Sequence, residues 1–181
     1  MEAGDVYGAD GLRYRPLPFD NTFITQLSNQ LPQLQRLQVT FAGRQDFDRA
    51  SFDKLKLPAL QELSIGIRPG KTPVARSSWG HDLRFALDGC PSLRQVALLH
   101  LYASQIDLSP LTSSSSPHLK QVIISGAAKA LTAPSLSHPF DLTAEVEELS
   151  QIIVPSAARK KGSLSLRDYT SRDENGRAIN N

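Results

Sequence analysis

The amino-acid sequence predicts an α/β solenoid, with a curved parallel sheet of about five to six short strands and helices on the convex side. Two observations support this prediction: four segments align without gaps, and apolar and polar residues alternate at the end of each. The shared pattern is Pro-x-Leu-x-x-Leu-x-Val, in which the last two positions vary among Leu, Val and Ile. The prolines stand at 32, 58, 91 and 117, so the intervals are 26, 33 and 26 residues. These intervals are typical of a regular repeat that carries one insertion.

The alternation at the end of each segment predicts a strand with one buried face. We name each pair of inward-facing apolar residues a rung. Four rungs follow directly from the alignment: Leu37/Val39, Leu63/Ile65, Val96/Leu98 and Val122/Ile124. Two weaker rungs, Leu12/Tyr14 and Leu164/Leu166, are expected to extend the ladder at its two ends.

Helices are expected between the rungs. Asp20 is placed to cap the first helix, whose apolar face is predicted to contain Phe23, Ile24, Leu27 and Leu31. Shorter helix-like segments are expected at 52–57 and 83–90, whereas Ile106–Leu111 contains Pro110 and is expected to be irregular. The strongest helical pattern is 141–154, with one apolar side formed by Leu142, Val146, Leu149, Ile152 and Ile153.

The predicted organisation is one domain with two poorly patterned ends. Residues 1–19 form a partial N-terminal repeat, and residues 20–167 form the array, with an inserted loop at 68–80 and a C-terminal helix at 141–154. Residues 168–181 are polar and are predicted to be a disordered tail. The chain has 181 residues, of which 40% are hydrophobic and 21% charged, which is typical of a soluble globular domain.

The net charge and the cysteine content limit the classes of partner and the cellular compartment that can be expected. A net charge of +2 is too small to predict nucleic-acid binding, which needs a clustered basic face. A single cysteine, Cys90, excludes an intrachain disulfide and favours a reducing compartment. The sequence contains neither a signal-peptide pattern nor an apolar run of about 18 residues, so we expect no membrane association and a cytoplasmic or nuclear location.

The segment Cys90-Pro91-Ser92-Leu93-Arg94-Gln95-Val96-Ala97-Leu98 resembles the cysteine-containing leucine-rich repeat that accompanies F-box domains. The resemblance covers roughly residues 20–126. It implies a repeat array that recognises substrates for ubiquitin ligation, although the helical F-box has no match in this sequence. The leading hypothesis is therefore a non-catalytic module that binds another protein. A truncated or structural repeat fragment is the alternative, and an enzyme is a distant third.

No catalytic residues, cofactor site, metal site or small-molecule substrate are predicted. The loop Gly66–Thr72 resembles a phosphate-binding loop but is one residue too short between its glycines. His81, His100, His118 and His138 are too scattered to indicate a metal site. Cys90 lies at a position that is buried in this repeat type, so a packed, inert thiol is expected.

The polar residues between the rungs are expected to face the concave surface and to form the protein-binding site. The predicted contacts are Arg36, Gln38, Glu62, Ser64, Gln95, Ala97, Leu99, Gln121 and Ile123. Ala97, Leu99 and Ile123 would form an apolar patch, which either binds the partner or is covered by the chain itself. A second candidate contact is the insertion, through Arg68, Arg76 and Trp79, although the alternative that Trp79 folds back to shield the neighbouring helix is slightly favoured.

Overall fold

The computed structural model describes residues 6–7, 13–14, 21–41, 52–67, 82–159 and 164–167. Most of this chain belongs to one eight-stranded sheet in which every pairing is parallel. Its strands are β3 (Arg36–Phe41), β4 (Glu62–Ile67), β5 (Leu83–Arg84), β6 (Gln95–Asp107), β7 (Gln121–Thr132), β8 (Phe140–Glu147), β9 (Gln151–Ile153) and β10 (Leu164–Arg167). The other elements are β1 (Val6–Tyr7), β2 (Arg13–Tyr14), the helix α1 (Asn21–Gln30) and a 3-10 turn at Phe52–Lys54. The fold is thus mostly parallel sheet, with few helices in the described chain.

The sheet is built from two rows of strands. The first row runs β10-β8-β7-β6-β4-β3, and β6 and β7 continue into a second row, where β5 pairs with the end of β6 and β9 with the end of β7. A third parallel contact, the bridge between Thr112 and Ser135, joins the turns that follow β6 and β7. Each repeat therefore contacts the next at several points along its length.

The four rungs predicted from the alignment lie in register. Leu37, Leu63, Val96 and Val122 are successive backbone partners, as are Val39, Ile65, Leu98 and Ile124. From Leu63 onward these side chains are no more than 1% exposed, and all of them belong to one hydrophobic core. β8 continues the ladder with Leu142 and Ala144, which are also buried.

The prolines of the repeat form one recurring turn. In each motif the backbone amide of the leucine two residues after the proline donates a hydrogen bond to the carbonyl oxygen of the residue just before the proline. The donor and acceptor pairs are Leu34 and Leu31, Leu60 and Leu57, Leu93 and Cys90, and Leu119 and Ser116, at 3.0 to 3.2 Å. Proline suits the second position of such a β-turn because its φ angle is already fixed near the required value. Except after α1, proline thus turns the chain toward the strand rather than ending a helix.

A bulge separates the two rows within β6 and β7. The register shifts between Leu98 and Leu101, where His100 has a φ of 55° and Gly126 a φ of 134°. The amide of His100 donates to Ser125 Oγ at 3.1 Å across this corner. A Cβ atom on Gly126 would lie 1.9 Å from the carbonyl oxygen of Leu101, so glycine is required both by conformation and by space.

The predicted C-terminal helix at 141–154 is wrong. Residues Phe140–Glu147 and Gln151–Ile153 are the strands β8 and β9, joined by a turn in which Glu148 has a φ of 59°. The even-numbered residues of β8 from 140 to 146 are buried and the odd-numbered residues are not, which is the period of a strand. Backbone pairing with β7 prevails over the helical propensity of the segment.

Other expectations for the connections need smaller corrections. The helix with Ile24 on its buried side is confirmed as α1, but the segment 83–90 forms β5 and turns, and the segment 52–57 forms a single 3-10 turn. Helices are therefore scarce in the described chain, because short turns suffice to reach the next strand. The inserted loop 68–80 and the tail 168–181 lie outside the described residues.

The two weak rungs are also corrected. Tyr14 lies in β2, which pairs antiparallel with β1 and does not continue the ladder, whereas Leu12 is outside the described residues. At the other end Leu166 pairs with Leu142 and Leu164 pairs with Phe140, so Leu166 takes the first position of its rung rather than the second. The parallel sheet contains eight strands among the described residues, more than the five to six predicted, and six of them form the first row.

Replacing Leu63 by Ala is expected to lower the free energy of unfolding by about 2–5 kcal/mol, because the change leaves a cavity among close-packed rungs. Leu63 is 1% exposed, and Leu31, which is 49% exposed, is the matched control for Leu→Ala. Chemical denaturation measures both. A Leu63→Ala protein no less stable than Leu31→Ala would contradict the ladder.

Replacing Gly126 by Ala should destabilise the corner by at least about 2 kcal/mol, since the new Cβ meets the Leu101 carbonyl in a backbone conformation that alanine avoids. Gly66→Ala is the control, because a Cβ there meets Leu99 at an ordinary 3.5 Å. Thermal unfolding followed by circular dichroism distinguishes them. Equal melting temperatures for the two variants would show that the corner geometry is wrong.

Candidate binding surface

The side chains that alternate with the rungs form a second ladder, which we name the outer face. Its first column is Arg36, Glu62, Gln95, Gln121, Asp141 and Ser165, and its second begins with Gln38, Ser64, Ala97, Ile123 and Thr143. A third column contains Thr40, Gly66 and Leu99. The structure therefore brings all nine predicted contact residues of the first row onto one face, with the register that the alignment predicts.

The N-terminal end of the outer face is polar. Arg36 Nε lies 3.1 Å from Glu62 Oε2, and the Arg36 side chain is 79% exposed, so this ion pair is well hydrated and contributes little to stability. Gln38 is exposed, while Ser64 and Gln95 are half-buried. Together with Ala97 they line a depression of about 350 Å³.

The centre of the outer face is apolar. Leu99 and Ile123 are half-buried on adjacent strands, and Ala97 is 8% exposed between them. Gly66 is the β4 partner of Leu99 and has no side chain, which leaves that flank of Leu99 without a side-chain neighbour in its column. This arrangement gives an apolar strip with polar residues on its N-terminal side.

The C-terminal part of the outer face was missed by the sequence analysis, because residues 141–147 were assigned to a helix. As a strand, β8 places Asp141, Thr143, Glu145 and Glu147 on the outer side. Glu145 is the backbone partner of Ser125, and Thr143 is the partner of Ile123. The alternation of Phe140, Leu142, Ala144 and Val146 was the signal that could have revealed this strand.

The second predicted contact cannot be placed on this surface. Arg68, Arg76 and Trp79 lie outside the described residues, as do His81 and the glycine-containing loop beyond Ile67. β4 ends at Ile67 and β5 begins at Leu83, so the described chain stops and resumes at the corner between the two rows.

Two histidines and a serine lie in the turns of the described chain, outside its strands. Within the described ranges, no group of three or more His, Cys, Asp or Glu side chains is arranged to hold a metal ion. His118 is exposed, while His138 is half-buried and its Nε2 lies 2.8 Å from the Leu119 carbonyl oxygen, where it ties two turns together. Ser116 is fully buried, and its hydroxyl has no hydrogen-bond partner.

Cys90 is packed in the core. Its side chain is fully buried, and Sγ lies 3.8 Å from the carbonyl oxygen of Leu55. Burial raises the pKa of the thiol from its ordinary value, against a smaller opposing effect of a backbone hydrogen bond from Leu57. A neutral, enclosed thiol is a poor nucleophile.

Comparison with protein-family profiles, curated protein sequences and solved structures found no match for this chain. In the residues that the structure describes, no helix is long and apolar enough to cross a membrane.

We expect Cys90 to resist iodoacetamide at pH 8 at least about 100-fold better in the native protein than in the denatured chain, because it is both enclosed and protonated. The denatured chain is its own control, since Cys90 is the sole cysteine in the sequence. Because folding raises this pKa, the associated stability is complete below the pKa of the unfolded thiol and is lost as pH rises through the folded pKa. Equal alkylation rates in both states would refute the burial.

Proposed function

We propose that the protein is a non-catalytic protein-binding module, built as a leucine-rich-repeat-like solenoid whose outer face holds the partner. The recurring proline turn and the constant register of the rungs support the repeat architecture. The sequence predicted helices between the strands, and the described chain has few of them. The proposed array therefore has turns and the second row of strands in the place of most of those helices.

The observation that carries the binding proposal is the apolar strip on the adjacent strands β6 and β7, where Ile123 is the backbone partner of Ala97 and Leu99 follows Ala97 by two residues. A contiguous apolar patch with a polar rim is typical of an interaction site. Parallel strands also fix the backbone beneath these side chains, so a partner binds with less loss of conformational entropy than it would on a mobile loop.

The wider role rests on the resemblance of residues 90–98 to the repeats of F-box proteins. By that resemblance, we propose that the partner is a protein recruited for ubiquitin ligation, in the cytoplasm or nucleus. The lone, buried cysteine fits such a reducing compartment. A truncated repeat array that requires a missing domain is the alternative.

The test replaces Leu99 and Ile123 together by Asp. Both side chains point away from the rungs, so we expect thermal stability to change little and capture of the partner to fall more than about tenfold, since each Asp would be an unpaired charge in the interface. The partner is first identified by mass spectrometry of proteins retained from native cell extract, and its affinity is then measured with purified components.

The matched control replaces Gln151 and Ile153 by Asp, which adds the same charge on the exposed side of β9 in the second row. That variant should bind as the unchanged protein does. Unfolding of the Leu99/Ile123 variant would mean that the chain itself covers the strip. A folded variant that binds normally would move the contact elsewhere, with the Trp79 insertion as the next candidate.

A further inference from the structure

The apolar strip of the outer face has an acidic row directly beside it. Ile123 on β7 is the backbone partner of Thr143 on β8, and Asp141, Glu145 and Glu147 flank Thr143 on the same side of that strand. We propose that the partner presents a basic segment, whose Lys or Arg side chains contact β8 while an apolar side chain covers Leu99 and Ile123. This inference rests on the proposed function, that the outer face binds a protein.

Glu145 and Glu147 are the core of the acidic row. Both are exposed, and in the described part of the chain neither forms an ion pair or a side-chain hydrogen bond. They are consecutive residues on one face of a strand, so their Cα atoms are roughly 7 Å apart. Alternate side chains of an extended partner segment have the same spacing, so two cationic residues can each meet one carboxylate.

The neighbouring strands leave this end of the row negative. β7 contributes Gln121, Ile123, Ser125 and Ala127 in register with the four odd-numbered residues of β8, and none of the four β7 residues is charged. On the other side, Ser165 and Arg167 of β10 are the partners of Asp141 and Thr143, so the pairing with β10 ends before Glu145. Glu145 and Glu147 thus lie beyond the last described backbone pair of β8 and β10.

The combination of charge and apolar surface selects the chemical class of the partner. A nucleic acid or an anionic membrane surface would meet two like charges at β8 and is repelled. A small cation would leave the strip of Leu99 and Ile123 uncovered. A protein segment with Lys or Arg close to Leu, Ile or Phe satisfies both, because the apolar contact supplies affinity while the charges set orientation and specificity.

The probe is a bead-displayed library of random 12-residue peptides, screened with the full chain at low ionic strength. We expect peptides with two or more Lys or Arg and at least one large apolar residue to be enriched about tenfold over peptides with Asp or Glu in their place. Glu145→Lys combined with Glu147→Lys should reverse this preference. Asp53→Lys combined with Asp88→Lys is the control, because it changes the net charge equally at exposed positions outside the outer face.

The outcomes separate this inference from the proposed function. Loss of the charge preference in the β8 variant but not in the control supports the basic segment, provided that circular dichroism shows both variants folded. No charge preference, or an equal preference in all three proteins, overturns it. If the Leu99/Ile123 variant nevertheless loses the purified partner, the proposed function survives and only the partner class is wrong. If the chain associates with itself and the β8 variant does not, a second copy of the chain is what binds the outer face. That result would also overturn the inference.

Discussion

Parallel backbone pairing between successive repeats determines where every other described group lies. At the entry to the first row, single carbonyl oxygens accept two amides from the next repeat: Gln35 from Gln61 and Glu62, Gln61 from Arg94 and Gln95, and Arg94 from Lys120 and Gln121. These shared acceptors fix the position of each strand relative to the preceding one through backbone hydrogen bonds alone. Because a shift of one residue would exchange the buried and exposed faces, the ladder of carbonyls and the ladder of rungs must agree.

The same constraint requires glycine at one point where the turns stack closely. Gly89 lies against the backbone of Leu55, where an added Cβ would come within 2.1 Å of the carbonyl oxygen. The next residue, Cys90, occupies the turn position that Leu57 holds in the preceding motif and Ser116 in the following one, and all three are fully buried. The hydroxyl of Ser116 gains nothing in hydrogen bonding from this position, so the position is set by packing rather than by polar chemistry.

The sequence was sufficient to predict the parts of the fold that follow from a gapless repeat. The register of β3, β4, β6 and β7 and the shared face of Arg36, Glu62 and Gln95 required only a constant interval and a period of two. β8 could not be recognised in that way, because Leu142 follows Val122 by 20 residues, and the Pro134-Ser135-Leu136 sequence before it begins eight residues ahead of Leu142 instead of five. Its residues satisfy both periods: Leu142, Val146 and Leu149 suit a helix, while Leu142, Ala144 and Val146 suit a strand. The strand is favoured because the backbone of β7 would otherwise have unpaired amides and carbonyls that only a neighbouring strand can satisfy. The same pairing places the acidic residues of β8 on the outer face.

At the corner between the two rows, the number of residues in each repeat can vary while the strands on both sides of the corner keep their register. From Leu99 to Ile106, β6 crosses the corner in seven residues, whereas the preceding repeat takes seventeen between Gly66 and Leu83, the β-partners of those two positions. On the other side, β7 spans Gly126 to Ala130 in four residues, and its partners Val146 and Gln151 are five apart. Neighbouring strands thus pair again after the corner although they have different numbers of residues between the paired positions. New loops, and with them new specificities, can be added at this edge of the outer face while the stack beneath keeps its pairing.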